Sequence, residues 1–295
     1  MALEIKPINS DFAAEVSGVD LTRPLGRDDV AAIDAGMDKY AVLVFHDQDI
    51  TDDQQLVFSR SLGPLESKSR PGTIRKAADS RLGAGMADLS NLDKNGRIIS
   101  GDDRQWFFKL GDRLWHSDSS YAEVPAKYSL LSARVIPSWG GRTEFADMRA
   151  AYDALDARTK AEVEDLICEH SLLHSRGAIG FTDFTPEEVE NFRPVRQRLV
   201  RVHPGTGRKS LFLASHAGAI EGWTIPEARV FLRELTEHAT QRAFVYSHQW
   251  RQHDLVMWDN RSTMHRACRF DRTEVRDMRR TTLAGDGPTV EQIAA

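Results

Sequence analysis

Two hydrophobic periods run through this chain, and the two-residue period of β-strands dominates its second half. Near the start, Leu3–Ile8 and Ala14–Leu21 read as short strands, and Ala41-Val42-Leu43-Val44-Phe45 as a buried strand by length and β-branched content. A helix is predicted between them from about Arg27 to Lys39, with Asp28 and Asp29 in its acidic first turn. Another opens at Asp52-Asp53-Gln54-Gln55 and stops before Gly63-Pro64. From Ser67 to about Gly111 charges are frequent and periodic apolar positions few. That predicts long loops, which in a compact domain are usually lids or binding loops.

Strands return after Trp115, at Tyr128–Ile136, Arg142–Phe145, Leu199–His203, Lys209–Ala214, Arg242–His248, Asp254–Trp258 and Met278–Leu283. Helices interrupt them at Met148–Leu155, Ala157–Cys168 and Ile225–Thr240. The expected fold is mostly β with flanking helices (α+β), a jelly-roll barrel with helices packed outside it. It is read as a single domain over 1–295, with a long loop or lid region at about 67–111 and a helical and loop insertion at about 148–197. A parallel α/β sheet would require regular strand–helix alternation and a Gly-rich phosphate loop, and the sequence has neither.

Composition narrows the partners. The chain has 295 residues, 41% hydrophobic and 28% charged, with a net charge of −5. No lysine- or arginine-rich block stands out, so no nucleic acid partner is expected, because phosphate binding needs a concentrated basic face. Cys168 and Cys268 are too far apart to form a CxxC and are read as reduced thiols. The N-terminus shows no signal-peptide pattern, and no apolar run approaches the ~18 residues of a membrane span. A cytoplasmic protein without a membrane partner is expected.

Candidate chemistry begins at His116-Ser117-Asp118. On an extended segment, residues two apart point to one side, so this imidazole and carboxylate can reach one ion. The third ligand should come from a distant strand, and His265 is the best candidate. It follows Asp254-Leu255-Val256-Met257-Trp258-Asp259-Asn260-Arg261, which reads as a buried strand ending in a polar turn. Two histidines and one carboxylate leave three adjacent positions on iron(II), as oxygen activation requires. A structural zinc site would close its fourth position with another Cys or His, and neither motif offers one. A zinc hydrolase would need a general-base carboxylate beside the histidines, which is also missing.

Arg276, Arg279 and Arg280 lie 11, 14 and 15 positions beyond His265. By alternation, Arg276 and Arg280 share a face and Arg279 takes the opposite one. Two guanidinium forks facing the metal could each grip a carboxylate, one from 2-oxoglutarate and one from a substrate. Thr143 could add a hydroxyl to the first. The opposing possibility is an exposed basic cluster paired with Asp271, Glu274 and Asp277. His170, His174, His203, His216 and His248 are read as hydrogen-bonded structural histidines.

These residues resemble the taurine dioxygenase family of iron(II)/2-oxoglutarate enzymes over nearly the whole chain, and within it the herbicide-degrading branch. The stretches that carry the resemblance are Leu114–Ser120, Gly140–Leu155, Gly207–Phe212, Glu237–Tyr246 and Asp254–Arg261. It implies a double-stranded β-helix and iron(II) on His116, Asp118 and His265. It further implies 2-oxoglutarate anchored by Thr143 and Arg276, and the anionic head of the substrate on Arg280. The reaction implied is O₂-dependent hydroxylation of an aryloxyalkanoate such as 2,4-dichlorophenoxyacetate at the carbon next to its ether oxygen. The products would be a phenol, an oxo acid, succinate and CO₂. Alkyl sulfonates or sulfate esters are the alternative substrates, and a non-catalytic small-acid-binding barrel the remote alternative. Ser67–Lys76 matches poorly where the family places a basic group beside the substrate, so Lys68 and Arg70 are both carried as candidates. The family's habit of forming dimers or larger assemblies implies a homo-oligomer.

Overall fold

The computed structural model describes residues 2–9, 12–67 and 72–292. Lys68 and Arg70 lie outside the described residues. Strands β1 (Glu4–Asn9) and β2 (Ala13–Ser17) form a hairpin, and β3 (Val42–Phe45) runs parallel to β2. The two-residue β4 (Ala87–Asp88) precedes β5 (Tyr128–Val135) and β6 (Thr143–Asp147). Next come β7 (Ile167–His170), β8 (Val195–Arg198), β9 (Val200–Val202), β10 (Lys209–Leu211) and β11 (Ala217–Ile220). The last four are β12 (Val245–His248), β13 (Leu255–Asp259), β14 (Thr263–Ala267) and β15 (Asp277–Thr282).

The major sheet has the order β1-β2-β3-β13-β5-β15-β4, and a smaller sheet, β12-β6-β14, faces it. Side sheets β11-β7-β8 and β9-β10 extend the second half. This is the jelly-roll expected from the strand pattern. Between the sheets lies an apolar layer that includes Leu131, Phe145, Val256, Trp258 and Met278. It floors the site described below.

Helices α1 (Arg27–Tyr40), α2 (Asp52–Ser61), α3 (Arg104–Lys109), α4 (Met148–Asp153) and α5 (Ala157–Val163) come first in the chain. They are followed by α6 (Leu172–Gly177), α7 (Pro186–Asn191) and α8 (Ile225–Ala239). Helix α1 buries Ile33, Met37 and Tyr40 on the back of the major sheet. A Cβ at Gly36 would stand 2.6 Å from Ile5 Cδ1, so a larger residue there would make the Ile5 side chain shift. Thr51 caps α2 in a capping box with Gln54. The buried Gln55 of α2 donates to Leu130 O and Arg279 O at 3.1 Å each and accepts from Ser132 at 2.7 Å. With its amide satisfied, it ties α2 across β5 and β15 without the cost of an unpaired polar group. Helix α8 packs Ala228, Leu232, Leu235 and Ala239, spaced at helical intervals, against the other side.

Several expectations need correction. Residues expected as loop within 67–111 include α3 and a 3₁₀ turn at Leu110–Arg113. Trp106 and Phe108 are too few for a visible helical period, and the Asp103 cap is the one local signal. The helix predicted to run to Cys168 stops at Val163, and Ile167–His170 is a strand held between β8 and β11. Strand β14 escapes prediction because Thr263, His265 and Arg266 break its apolar alternation. Arg242–Phe244 is a 3₁₀ turn before β12, not part of the strand. Among the described residues, no helix is long and apolar enough to cross a membrane. Both cysteines are free.

Candidate metal and carboxylate site

His116 and His265 face each other as an antiparallel bridge. His116 N donates to His265 O at 3.0 Å, and His265 N to His116 O at 2.8 Å. That backbone pair holds two imidazoles from distant parts of the chain with ring centroids 4.2 Å apart. Asp118 enters from the turn that follows. Its carboxylate oxygens lie 4.0 Å from His116 Nε2 and 3.8 Å from His265 Nε2. One donor atom from each residue falls within 4.8 Å of the other two, so the three can share one ion, and all three are buried. The chain leaves through Ser119, whose φ of 57° is the left-handed region that non-glycine residues rarely adopt. That turn swings Asp118 back toward the histidines.

Hydrogen bonds leave the right atoms free. His116 Nδ1 lies 2.8 Å from Leu114 O, which places its proton on Nδ1 and leaves the Nε2 lone pair toward the cluster. Phe145 stacks on the His265 ring at 6.2 Å and Trp258 lies against it at 4.6 Å. Ser129 donates to Asp118 Oδ2 at 2.7 Å, and Asn260 Oδ1 accepts from Asp118 N at 3.0 Å. Burial alone would push the Asp118 carboxyl up. The Arg280 cation and the Ser129 hydrogen bond oppose it, and the group is held well below the usual carboxylate range. Burial, then the neighbouring His116, keeps His265 far below its ordinary value and therefore neutral, the form a metal binds.

Thr143 and Arg276 line an inner cavity beside the two histidines. Thr143 comes from β6, where it pairs with Ala267 of β14 and His248 of β12. Arg276 is buried immediately before β15. Its Nη1 donates to Leu89 O at 3.1 Å, and its backbone N to Asn91 Oδ1 at 2.8 Å. Burial draws its pKa down to about 10, so it stays charged at neutral pH. Arg279 points away, to Asp52 and Asp277, as strand alternation predicts.

Arg280 lies with the cluster and donates to Asp118. Nothing in the sequence points to that contact. Its Nε is buried without a partner among the described residues, so donors remain for another anion. Arg280 also borders a larger outer cavity, walled by Leu82, Met86, Phe108, Tyr121 and Leu172 among others. That mixture of aliphatic and aromatic wall with a few cations suits an anion carrying an apolar ring.

His216, expected to be structural, borders this outer cavity. Its ring stands edge-on to His116 at 5.9 Å and to Tyr121 at 5.1 Å, with Nδ1 2.8 Å from Ser175 Oγ. Sequence reasoning misses Arg176 and Lys109 as well, since both fall where the chain shows no period. Gly111 admits Arg176, since a Cβ there would meet Arg176 Nη1 at 2.2 Å. Arg176 then reaches Asp112 at 3.0 Å.

The sequence profile of the taurine catabolism dioxygenase TauD, TfdA family matches residues 4–282. The chain is 44% identical over 291 residues to the alpha-ketoglutarate-dependent 2,4-dichlorophenoxyacetate dioxygenase of Cupriavidus pinatubonensis, covering 97% of this chain and 99% of that one. It is 40% identical to the (S)-phenoxypropionate/alpha-ketoglutarate-dioxygenase of Sphingobium herbicidovorans, over 97% of this chain and 96% of that one. Among solved structures, AAD-2 in complex with Mn(II) and N-oxalylglycine superposes with a TM-score of 0.96 at 57% identity, covering 98% of this chain and all of that one.

Proposed function

The chain belongs to the taurine catabolism dioxygenase TauD, TfdA family, and on that premise we propose that it hydroxylates aryloxyalkanoates such as 2,4-dichlorophenoxyacetate. It is an Fe(II)- and 2-oxoglutarate-dependent dioxygenase. The observation that carries the substrate reading is the convergence of His116, Asp118 and His265 with Arg276 and Arg280 beside an outer cavity of apolar wall.

In this reading, iron(II) is held by His116 Nε2, Asp118 and His265 Nε2. Two neutral imidazoles and one carboxylate are the donor set that iron(II) accepts while keeping positions open. When bound, the metal supplies the redox chemistry that couples oxidative decarboxylation of 2-oxoglutarate to hydroxylation of the substrate. Arg276 and Thr143 hold the distal carboxylate of 2-oxoglutarate, the arginine by charge and the threonine by its hydroxyl. Arg280 holds the substrate carboxylate with the donors that Asp118 leaves free, so that the carbon next to the ether oxygen faces the metal. Hydroxylation there gives a hemiacetal, which collapses to a phenol and an oxo acid, glyoxylate for an aryloxyacetate. Lys68 or Arg70 remains a candidate for a second contact to the substrate. The enzyme is read as a cytoplasmic protein acting on free small acids and, from the family's habit of assembly, as a homo-oligomer.

The test starts from anaerobic protein with iron(II) and 2-oxoglutarate, followed by 2,4-dichlorophenoxyacetate and air. A weak visible charge-transfer band, shifted by the substrate, and succinate formed together with dichlorophenol are the expected result. Succinate coupled to sulfite or sulfate release from a sulfonate or sulfate ester, with no phenol, would move the substrate to the other branch. His116→Ala and Asp118→Ala should each abolish turnover, and activity retained with added iron would refute the ligand set.

A further inference from the structure

Five residues border both the inner and the outer cavity, and two of them are cations, Arg280 and Lys109. Lys109 is the last residue of α3, seven positions before His116. Its Nζ donates to Ser90 O at 2.7 Å. Apart from the exposed Lys76, the other cations of the outer cavity are matched by carboxylates: Arg75 by Asp88 at 2.6 Å, Arg176 by Asp112 at 3.0 Å, and Arg280 by Asp118. Lys109 forms no ion pair among the described residues. An ammonium has three donors, and one backbone carbonyl uses one of them. Burial first, then the nearby Arg75, pull its pKa down to about 8, against the opposing pull of Asp88 and Asp112. The ligand-free protein therefore keeps an under-compensated cation on the wall between its two cavities, a costly arrangement unless an anion arrives there.

Which anion follows from counting charges. In the proposed reading, 2-oxoglutarate has its distal carboxylate on Arg276 and Thr143 and its other carboxylate on the metal. Among the described residues that reading gives the substrate carboxylate Arg280 alone, and Arg280 is shared with Asp118. A carboxylate has lone pairs enough for donors from both sides. Resting on that reading, we propose that Lys109 Nζ is the second cationic anchor of the substrate carboxylate, opposite Arg280. Lys109 thereby selects anionic over neutral aryloxy compounds. The competing role is a tether, in which the Nζ contact merely fastens the Ser90 backbone to α3.

The decisive comparison uses the metal-loaded protein with Lys109→Met, which keeps the aliphatic stem, and Lys109→Arg, which keeps the charge. Dissociation constants for 2,4-dichlorophenoxyacetate and for its neutral amide are measured on protein holding Mn(II) and N-oxalylglycine. KM values for substrate and for 2-oxoglutarate are measured on the iron enzyme. We expect K109M to weaken the acid at least tenfold, to leave the amide within about twofold, and to shift the KM for 2-oxoglutarate far less. K109R should recover most of the loss. Melting of K109M at or above the wild-type temperature would exclude misfolding as the cause. A tether would instead weaken acid and amide alike, and that result overturns the proposal. So does a loss confined to 2-oxoglutarate, or no loss at all while wild-type protein forms phenol. If wild-type protein binds neither compound, the aryloxyalkanoate reading itself has failed, and the assignment of Lys109 falls with it. A K109M chain that does not fold passes the decision to K109R, for which a loss as large for the amide as for the acid is the overturning result.

Discussion

The indole N–H of Trp250 donates to Thr143 Oγ1 at 3.0 Å, and this contact aims the threonine proton. A hydroxyl carries one donor and two acceptor sites. With one acceptor site filled by the indole, the Thr143 proton is left for the inner cavity, where 2-oxoglutarate is proposed to lie. Trp250 is buried and edge-on to His248 at 4.7 Å, and His248 is itself held by Asp254 at 3.0 Å. Trp250→Phe keeps a ring but removes the donor. It should raise the KM for 2-oxoglutarate about fivefold, the equivalent of one hydrogen bond near 1 kcal/mol. The KM for the aryloxy acid should stay close to the wild-type value. Equal shifts in both constants would mean that Trp250 supports the barrel generally and does not orient Thr143.

Arg280 sits between a metal-site carboxylate and the outer cavity. Arg280→Ala should raise the KM for an anionic aryloxy acid by roughly ten- to a hundredfold, the worth of a charge-assisted contact in a desolvated site. The constant for 2-oxoglutarate should move much less. Steady-state kinetics with each substrate varied in turn checks this. The opposite ranking would exchange the roles of Arg276 and Arg280.

Much of this site is legible because its chemistry is written in fixed spacing. His116 and Asp118 are two apart, and Arg276 and Arg280 are four apart, an even spacing that an extended chain turns to one side, although Asp118 lies in a turn and Arg276 just ahead of β15. The resemblance to a known family then distinguishes Arg276 from Arg280, which spacing could not. Tertiary contacts are not legible. The pairing of β14 with His116 depends on a strand whose polar residues hide its period. Lys109 and His216 reach the cavities from segments with no pattern of their own, α3 and the chain entering β11. Strand β7 reads as helix because Ile167 and Cys168 continue the apolar spacing of α5. Only its neighbours β8 and β11 decide otherwise.

His170 gives a prediction in acid. It lies in β7, buried and stacked on Phe212 at 5.7 Å, with neither ring nitrogen partnered among the described residues. Burial, then the nearby His174, lower its pKa from 6.5 to about 3. Between those values the unfolded chain binds a proton that the folded chain refuses. Stability therefore falls as pH drops through 6.5 and keeps falling toward 3. His170→Met removes the group while keeping an apolar filler. Its melting temperature should decline less steeply than the wild type's between pH 6.5 and about 4, inside the window those two values set. Parallel curves for the two proteins would assign the acid sensitivity to other groups.

Ser129 offers the last test, because it acts on Asp118 without approaching a substrate. Its hydroxyl donates to Asp118 Oδ2 at 2.7 Å and accepts from Asn260 Nδ2 at 3.0 Å. Asn260 Oδ1 in turn accepts from Asp118 N and from Trp258 Nε1, each at 3.0 Å. The carboxylate is thus oriented from its side chain and its backbone by one buried amide. Groups that orient a metal-binding carboxylate typically contribute about 10- to 100-fold in metal affinity. Ser129→Ala should weaken Fe(II) or Mn(II) binding by about that factor, measured by direct titration. Activity should be regained at high metal concentration, because the ligands themselves remain. A metal constant unchanged in this variant would mean that Arg280 and the two histidines suffice to hold Asp118 in place.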